Sequence, residues 1–135
     1  MVESSLLFEE APYLKLTVTG RKSHLKRAVQ LWFAYEDGKI YFLAHENSQW
    51  WQNVSANPKV EVDVLEVAFQ GLGRIVPDKL SHIYKLFRAK YGADQMERWY
   101  GGERSERQAI EIEVGRVIGK RPETPRLIEP LISIS

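Results

Sequence analysis

The sequence predicts a mainly β, α+β domain: an antiparallel barrel of six strands carrying one long helix and two short ones. Three observations predict it. Period-two alternation of apolar and polar residues recurs in six runs, at 14–19, 27–35, 40–45, 60–64, 66–76 and 108–117. Most of these runs follow one another with only a turn between them, which favours antiparallel pairing over a parallel, doubly wound sheet. A single long stretch, from Pro77 to Tyr91, has the 3.6-residue spacing of a helix instead.

Length and composition set the frame. A chain of 135 residues, 44% apolar and 27% charged, can build one real core. It reads as one domain over 1–135, with a core at about 14–118 and an extended arm at 119–135. Cysteine is absent, and His24, His45 and His82 fall on different elements without ligand spacing, so no metal site is expected. No targeting segment or membrane span is visible, so the expected location is cytoplasmic, with no membrane partner. Nineteen basic against eighteen acidic residues argue against a general nucleic-acid binder. The charge is local: Ala11 to Tyr35 contains no acid but holds Lys15, Arg21, Lys22, Lys26 and Arg27.

In chain order, Ser4-Ser5 before Leu6-Leu7-Phe8-Glu9-Glu10 suggests one helical turn. Leu14, Leu16 and Val18 alternate with Lys15, Thr17 and Thr19, and Gly20 ends that strand. A basic turn follows. The next strand places Val29, Leu31, Phe33 and Tyr35 on one face and Gln30, Trp32 and Ala34 on the other. Asp37-Gly38 supplies a tight hairpin turn into Ile40–His45. Both faces of this hairpin are rich in apolar residues, which predicts a wall covered on both sides, by a helix or a second subunit.

Ser48 sits where a helix N-cap belongs, and Trp50, Trp51 and Val54 form an apolar stripe that must stop before Pro58. Adjacent Trp50 and Trp51 cannot share one helix face, so one is expected in the core and the other at a ligand edge or seam. Val60, Val62 and Val64 mark a strand with one wet face, and Gly71 and Gly73 a bend or bulge in the next. Leu80, Ile83, Tyr84, Phe87 and Tyr91 line the long helix, which Gly92 ends. Ala93–Tyr100 reads as a second short helix. In the last strand Ile110, Ile112 and Val114 oppose Glu111 and Glu113, and three prolines mark the arm.

If the strands pair as expected, the basic turn and the helix start meet at one end of the sheet. Arginine forks and lysine charges suit phosphate there, as does a helix N-terminus with its unpaired N–H groups. A solvated loop is the competing reading, and helix capping is the simpler role for Ser48. No nucleophile elbow, Walker loop, dinucleotide glycine fingerprint or zinc motif is present, so any reaction would be carried by a bound cofactor. No catalytic residue is assigned; Tyr35, Tyr41 and His45 are the candidate proton donors.

The middle of the chain resembles the FMN-binding split β-barrel superfamily of pyridoxamine 5'-phosphate oxidase. Within it, the motifs are most similar to the deazaflavin (F420)-dependent nitroreductase branch. Gly20-Arg21-Lys22-Ser23 with Arg27 opening a strand matches that branch, as do Trp50, Asn53, Val54, Ala56, Asn57 and Pro58. The resemblance covers roughly residues 14–75 and implies a six-stranded split barrel that binds a flavin-type cofactor, FMN slightly ahead of F420. It implies an oxidoreductase that transfers hydride or electrons to a small oxidised substrate, as a homodimer with the cofactor at the subunit interface. Arg21, Lys22 and Arg27 would hold the phosphate, helped by Ser48 and the chain at Gln49 and Trp50, with Ala44 and His45 along the ring or ribityl chain. Three departures are visible. His24 stands where the motif has Gly, and the loop from His45 to Gln49 lacks the Gly-Gly and Pro of the deazaflavin branch. Trp50 occupies the place of an oxidase lysine at the cofactor phosphate, a contact Lys22 or Lys26 would then supply. A non-catalytic flavin or haem binder on the same barrel, and an oligonucleotide-binding barrel, are the alternatives.

Overall fold

The computed structural model describes residues 7–101 and 107–120. Seven strands form one antiparallel sheet, against the six expected: β1 (Leu14–Thr19), β2 (Lys26–Leu31), β3 (Ala34–Glu36), β4 (Lys39–His45), β5 (Lys59–Val64), β6 (Val67–Ile75) and β7 (Arg107–Lys120). Their order is β2-β1-β5-β6-β7-β4-β3. The extra strand comes from 27–35, which is two strands interrupted at Trp32 and Phe33. β2 pairs with β1, from Thr19↔Lys26 to Leu14↔Leu31, whereas β3 pairs with β4 through three residues only. The two halves of one extended run therefore lie at opposite edges of the sheet. The crossing between them curls the sheet into a half-barrel.

The interruption is held by the end of a helix. The Tyr91 hydroxyl accepts the Phe33 N–H at 3.1 Å and lies 2.7 Å from the Pro12 carbonyl oxygen. Lys90 Nζ donates to the Phe33 carbonyl at 3.1 Å and sits 3.5 Å from the centre of the Phe33 ring. Trp32 stacks on Tyr91 with ring centres 4.2 Å apart. Burial lowers the Lys90 ammonium to a pKa of about 8.

Side chains fill both faces of the wall, as the apolar hairpin predicted. Inside, Leu14, Leu16, Val18, Phe33, Ile40, Phe42, Val62, Phe69, Ile110 and Ile112 form the main core, closed at one end by Phe8. Outside, Tyr41, Leu43 and Ala109 pack beneath Ile83 and Phe87. The cover is thus a helix of the same chain, α2 (Leu80–Tyr91), entered through a 3₁₀ turn at Pro77–Lys79. Gly92, at φ +94°, ends it. The second short helix is α3 (Ala93–Met96), continued by a π-helical turn at Glu97–Gly101. Residues 7–10 are helical; Ser4, Ser5 and Leu6 lie outside the described residues. β7 runs to Lys120, past the expected start of the arm, whose prolines lie outside the described residues.

The remaining helix, α1 (Gln49–Ala56), plugs one end of the barrel. It can approach β6 because residue 73 is glycine: a Cβ there would stand 2.5 Å from Val54 Cγ1 and 2.9 Å from Ile112 Cδ1. The expected irregularity in β6 is present just before Gly71, where the register with β7 shifts around Phe69. None of the described helices is long and apolar enough to cross a membrane.

Candidate anion and cofactor site

Antiparallel pairing of β1 with β2 brings the basic turn to one end of the sheet. The Gly20 N–H donates to the Leu25 carbonyl at 2.8 Å, and the Leu25 N–H to Ser23 Oγ at 3.1 Å. His24 closes the turn at φ +64°, a left-handed conformation that glycine adopts without strain. The motif glycine that His24 replaces therefore has a backbone reason, and the histidine holds the same geometry at a cost.

The turn is tied to α1. Asn53 Oδ1 accepts the Arg21 backbone N–H at 3.0 Å and Arg21 Nη1 at 2.7 Å, and Gln49 Oε1 accepts Arg21 Nη2 at 2.8 Å. Between turn and helix lies a cavity of about 300 Å³ lined by Gly20, Arg21, Lys22, Ser23, Arg27, Gln49 and Asn53. Among the described residues, three cations and no carboxylate line it. Such a surface attracts an anion and offers it forked and single-point donors together.

Of the eight residues expected at a cofactor, the structure thus gathers Arg21, Lys22, Arg27 and Gln49. Ser48 does occupy the N-cap position, with extended backbone, but its hydroxyl makes no capping bond. Ala44 and Trp50 turn into the barrel core, Trp50 edge-on to Phe42 with centres 5.4 Å apart. Of the adjacent pair, Trp50 is therefore the core tryptophan. Trp51 is half-buried and donates Nε1–H to the Glu46 carbonyl. Lys26 faces away from the cavity to Glu61, 3.4 Å distant, on a separate concavity of about 660 Å³ on the sheet. Of the two lysines expected to replace the oxidase lysine, Lys22 lines the cavity and Lys26 does not.

In sequence Asn53 is a motif residue with no role of its own; its spacing with Trp50 and Val54 along the helix stripe is the signal that it faces inward. Glu111, on the face of the last strand opposite Ile110 and Ile112, is 1% exposed, because the 3₁₀ turn covers β7 there. Arg74 Nε donates to one of its oxygens at 2.8 Å and Lys79 Nζ to the other at 2.9 Å. Burial pushes the Glu111 carboxyl up, but these two hydrogen bonds and charges outweigh it and hold the group below its ordinary range.

Next to the cavity, the barrel wall is open. Along 26–31 and 42–45, β2 and β4 each have one partner strand among the described residues, so their other edges flank a split. His45 ends the β4 edge. Its Nδ1 accepts the Asn47 N–H at 3.1 Å, which assigns the ring hydrogen to Nε2. Of the other candidate proton donors, Tyr35 stacks on Phe8 with centres 4.7 Å apart, and Tyr41 is buried beneath α2. Burial raises the Tyr41 phenol above its ordinary value.

Solved structures share this fold. An assigned pyridoxamine 5'-phosphate oxidase of Listeria innocua superposes with a TM-score of 0.68 at 17% identity, covering 86% of this chain and 94% of that one. The heme storage protein HutZ of Vibrio cholerae gives 0.71 at 11% identity, over 88% and 93%. An F420-H2 dependent reductase gives 0.58 at 27% identity, over 76% of this chain and 94% of its own. The family model of the F420H(2)-dependent quinone reductases matches residues 2–116. With a split barrel and motifs in register, the chain belongs to the F420H(2)-dependent quinone reductase family and is an oxidoreductase of the flavin and deazaflavin kind.

Proposed function

We propose that the protein uses F420 to reduce a quinone-type acceptor. The family match reverses the order expected from the motifs alone and puts the deazaflavin ahead of FMN. The observation that carries the reading is the cavity of Arg21, Lys22 and Arg27, with three cations and no carboxylate, opening beside the split between β2 and β4. Lys22 and Arg27 bind the cofactor phosphate, with Arg21 held beside them by α1. The free backbone edges at 26–31 and 42–45 offer donors and acceptors to the polar rim of a planar ring. When bound, the cofactor supplies the hydride; the protein binds, orients and keeps water from the reacting face. The overall change adds one hydride and one proton to the quinone and gives the hydroquinone. His45, at the end of the split with its ring hydrogen on Nε2, is the candidate hydrogen-bond donor to the acceptor oxygen.

The same reading includes a homodimer. What supports a partner surface is the concave outer sheet face, where half-exposed Leu72 lies among Thr17, Thr19, Gln70 and Glu113.

The test is to mix the purified protein with reduced F420 and a water-soluble quinone and to follow recovery of the oxidised cofactor's absorbance. Turnover with reduced F420 and none with reduced FMN supports the reading. Turnover with FMN alone moves the cofactor back to the flavin, and no turnover with either removes the reductase assignment.

A further inference from the structure

Arg21 is held in an unusual way for a cation bordering an anion site. Both of its side-chain partners are neutral amides, four residues apart on one face of α1. Asn53, 5% exposed, grips the backbone N–H and Nη1 of Arg21 with a single oxygen, and Gln49 takes Nη2. Carboxylates at these positions would hold a guanidinium more strongly, because charge-assisted hydrogen bonds exceed neutral ones. They would also cancel the charge that the cavity offers. Amides fix the side chain and leave its full charge in place. Anchoring reaches further along the helix: Asn57 Nδ2 lies 3.4 Å from the Thr19 carbonyl, so α1 is tied to the chain on both sides of Gly20.

We infer that Asn53 and Gln49 are positioning residues that orient Arg21 toward a bound phosphate without neutralising it, and so set the affinity of the cavity for phosphate-bearing ligands. This rests on the cavity being an anion seat, but not on which cofactor carries the phosphate. Asn53 and Gln49 need not touch the ligand; they act through the direction and net charge of Arg21. A residue that merely braced the fold would be served as well, or better, by a carboxylate.

The experiment compares Asn53→Asp, Gln49→Glu and Asn53→Ala with the unaltered protein, using inorganic phosphate as the probe in calorimetric titrations at low ionic strength. Melting temperature is recorded alongside. Asn53→Asp and Gln49→Glu are expected to keep the melting temperature and to weaken phosphate binding by about tenfold, since each adds a negative charge beside Arg21. Asn53→Ala is expected to weaken it severalfold by freeing the side chain. Should Asn53→Ala fold poorly, the exposed Gln49→Glu change still decides the matter. Phosphate affinity unchanged or improved in the two acidic variants overturns the inference, as does a lack of phosphate binding by the unaltered protein. If F420 fails to bind while phosphate follows the expected pattern, the cofactor assignment falls and the positioning role stands.

Discussion

Two clusters of positive charge in this barrel have opposite fates. At Glu111, two cations converge on one buried carboxylate, and each of its oxygens receives a charged donor. At the basic turn, three cations border a cavity that no carboxylate among the described residues lines. The first cluster is closed on itself and joins the 3₁₀ turn to the sheet. The second is anchored by amides and remains open. Counting charges cannot separate them. What separates them is whether the fold supplies the counter-charge; where it does not, solvent or a ligand can.

The largest effect is expected from breaking the closed cluster. Glu111→Ala leaves Arg74 and Lys79 without their partner, but both reach solvent, so the expected loss is about 3 kcal/mol, at the low end for buried pairs. Urea unfolding at pH 7 measures it. Because the folded Glu111 carboxyl lies below its ordinary value, its contribution is present above the unfolded pKa and is lost as pH falls through the folded one. The gap between Glu111→Ala and the unaltered protein should therefore close in acid.

Lys90 is a third kind of cation, buried against carbonyls and a ring with no acid among its partners in the described residues. Its folded pKa, about 8, lies below its ordinary value of 10.5. The unfolded chain then binds more protons between these limits, so stability should rise with pH across that window, by at most about 1.4 kcal/mol per unit for one proton. Lys90→Met should remove that slope. A slope that persists in the variant would assign it to other groups.

In the open cluster, Arg27→Ala should raise the dissociation constant for F420 about tenfold and change stability by less than about 0.5 kcal/mol, as expected for an exposed side chain. Added salt should weaken cofactor binding to the unaltered protein far more than to this variant. The smallest effect is expected at His24. Relieving a left-handed histidine with His24→Gly should stabilise the fold by about 0.5 kcal/mol, because the strain removed exceeds the entropy added. A loss of stability there would mean that the imidazole makes a compensating contact.

The sequence was most readable where the cause is local. Gly20, Asp37-Gly38 and the Ser48 to Pro58 stretch act within a few residues, and each falls at an element boundary in the structure. Alternation also sorted the faces of 27–35 correctly: Val29, Leu31, Phe33 and Tyr35 face the inner core, and Trp32 and Ala34 the outer one. It could not reveal the interruption at Trp32 and Phe33, because a chain that stays extended keeps its alternation while it changes partner strand. Lys26 and Arg27 look alike in composition, but as consecutive residues of β2 they point to opposite faces of the sheet, and Lys26 meets Glu61, 35 residues away. Glu111 matches the wet-face pattern of Glu113, and only the turn at Pro77–Lys79 makes it a buried residue.

The most direct test of this contrast between an open and a closed cluster of cations is a fluorescence titration of F420 against the unaltered protein, Arg27→Ala and Lys79→Met, with urea unfolding of all three. The account predicts that Arg27→Ala loses cofactor affinity and keeps its stability. It predicts that Lys79→Met, which leaves Glu111 with one cation, loses stability and keeps its affinity. Equal affinity for F420 in the unaltered protein and Arg27→Ala would contradict it.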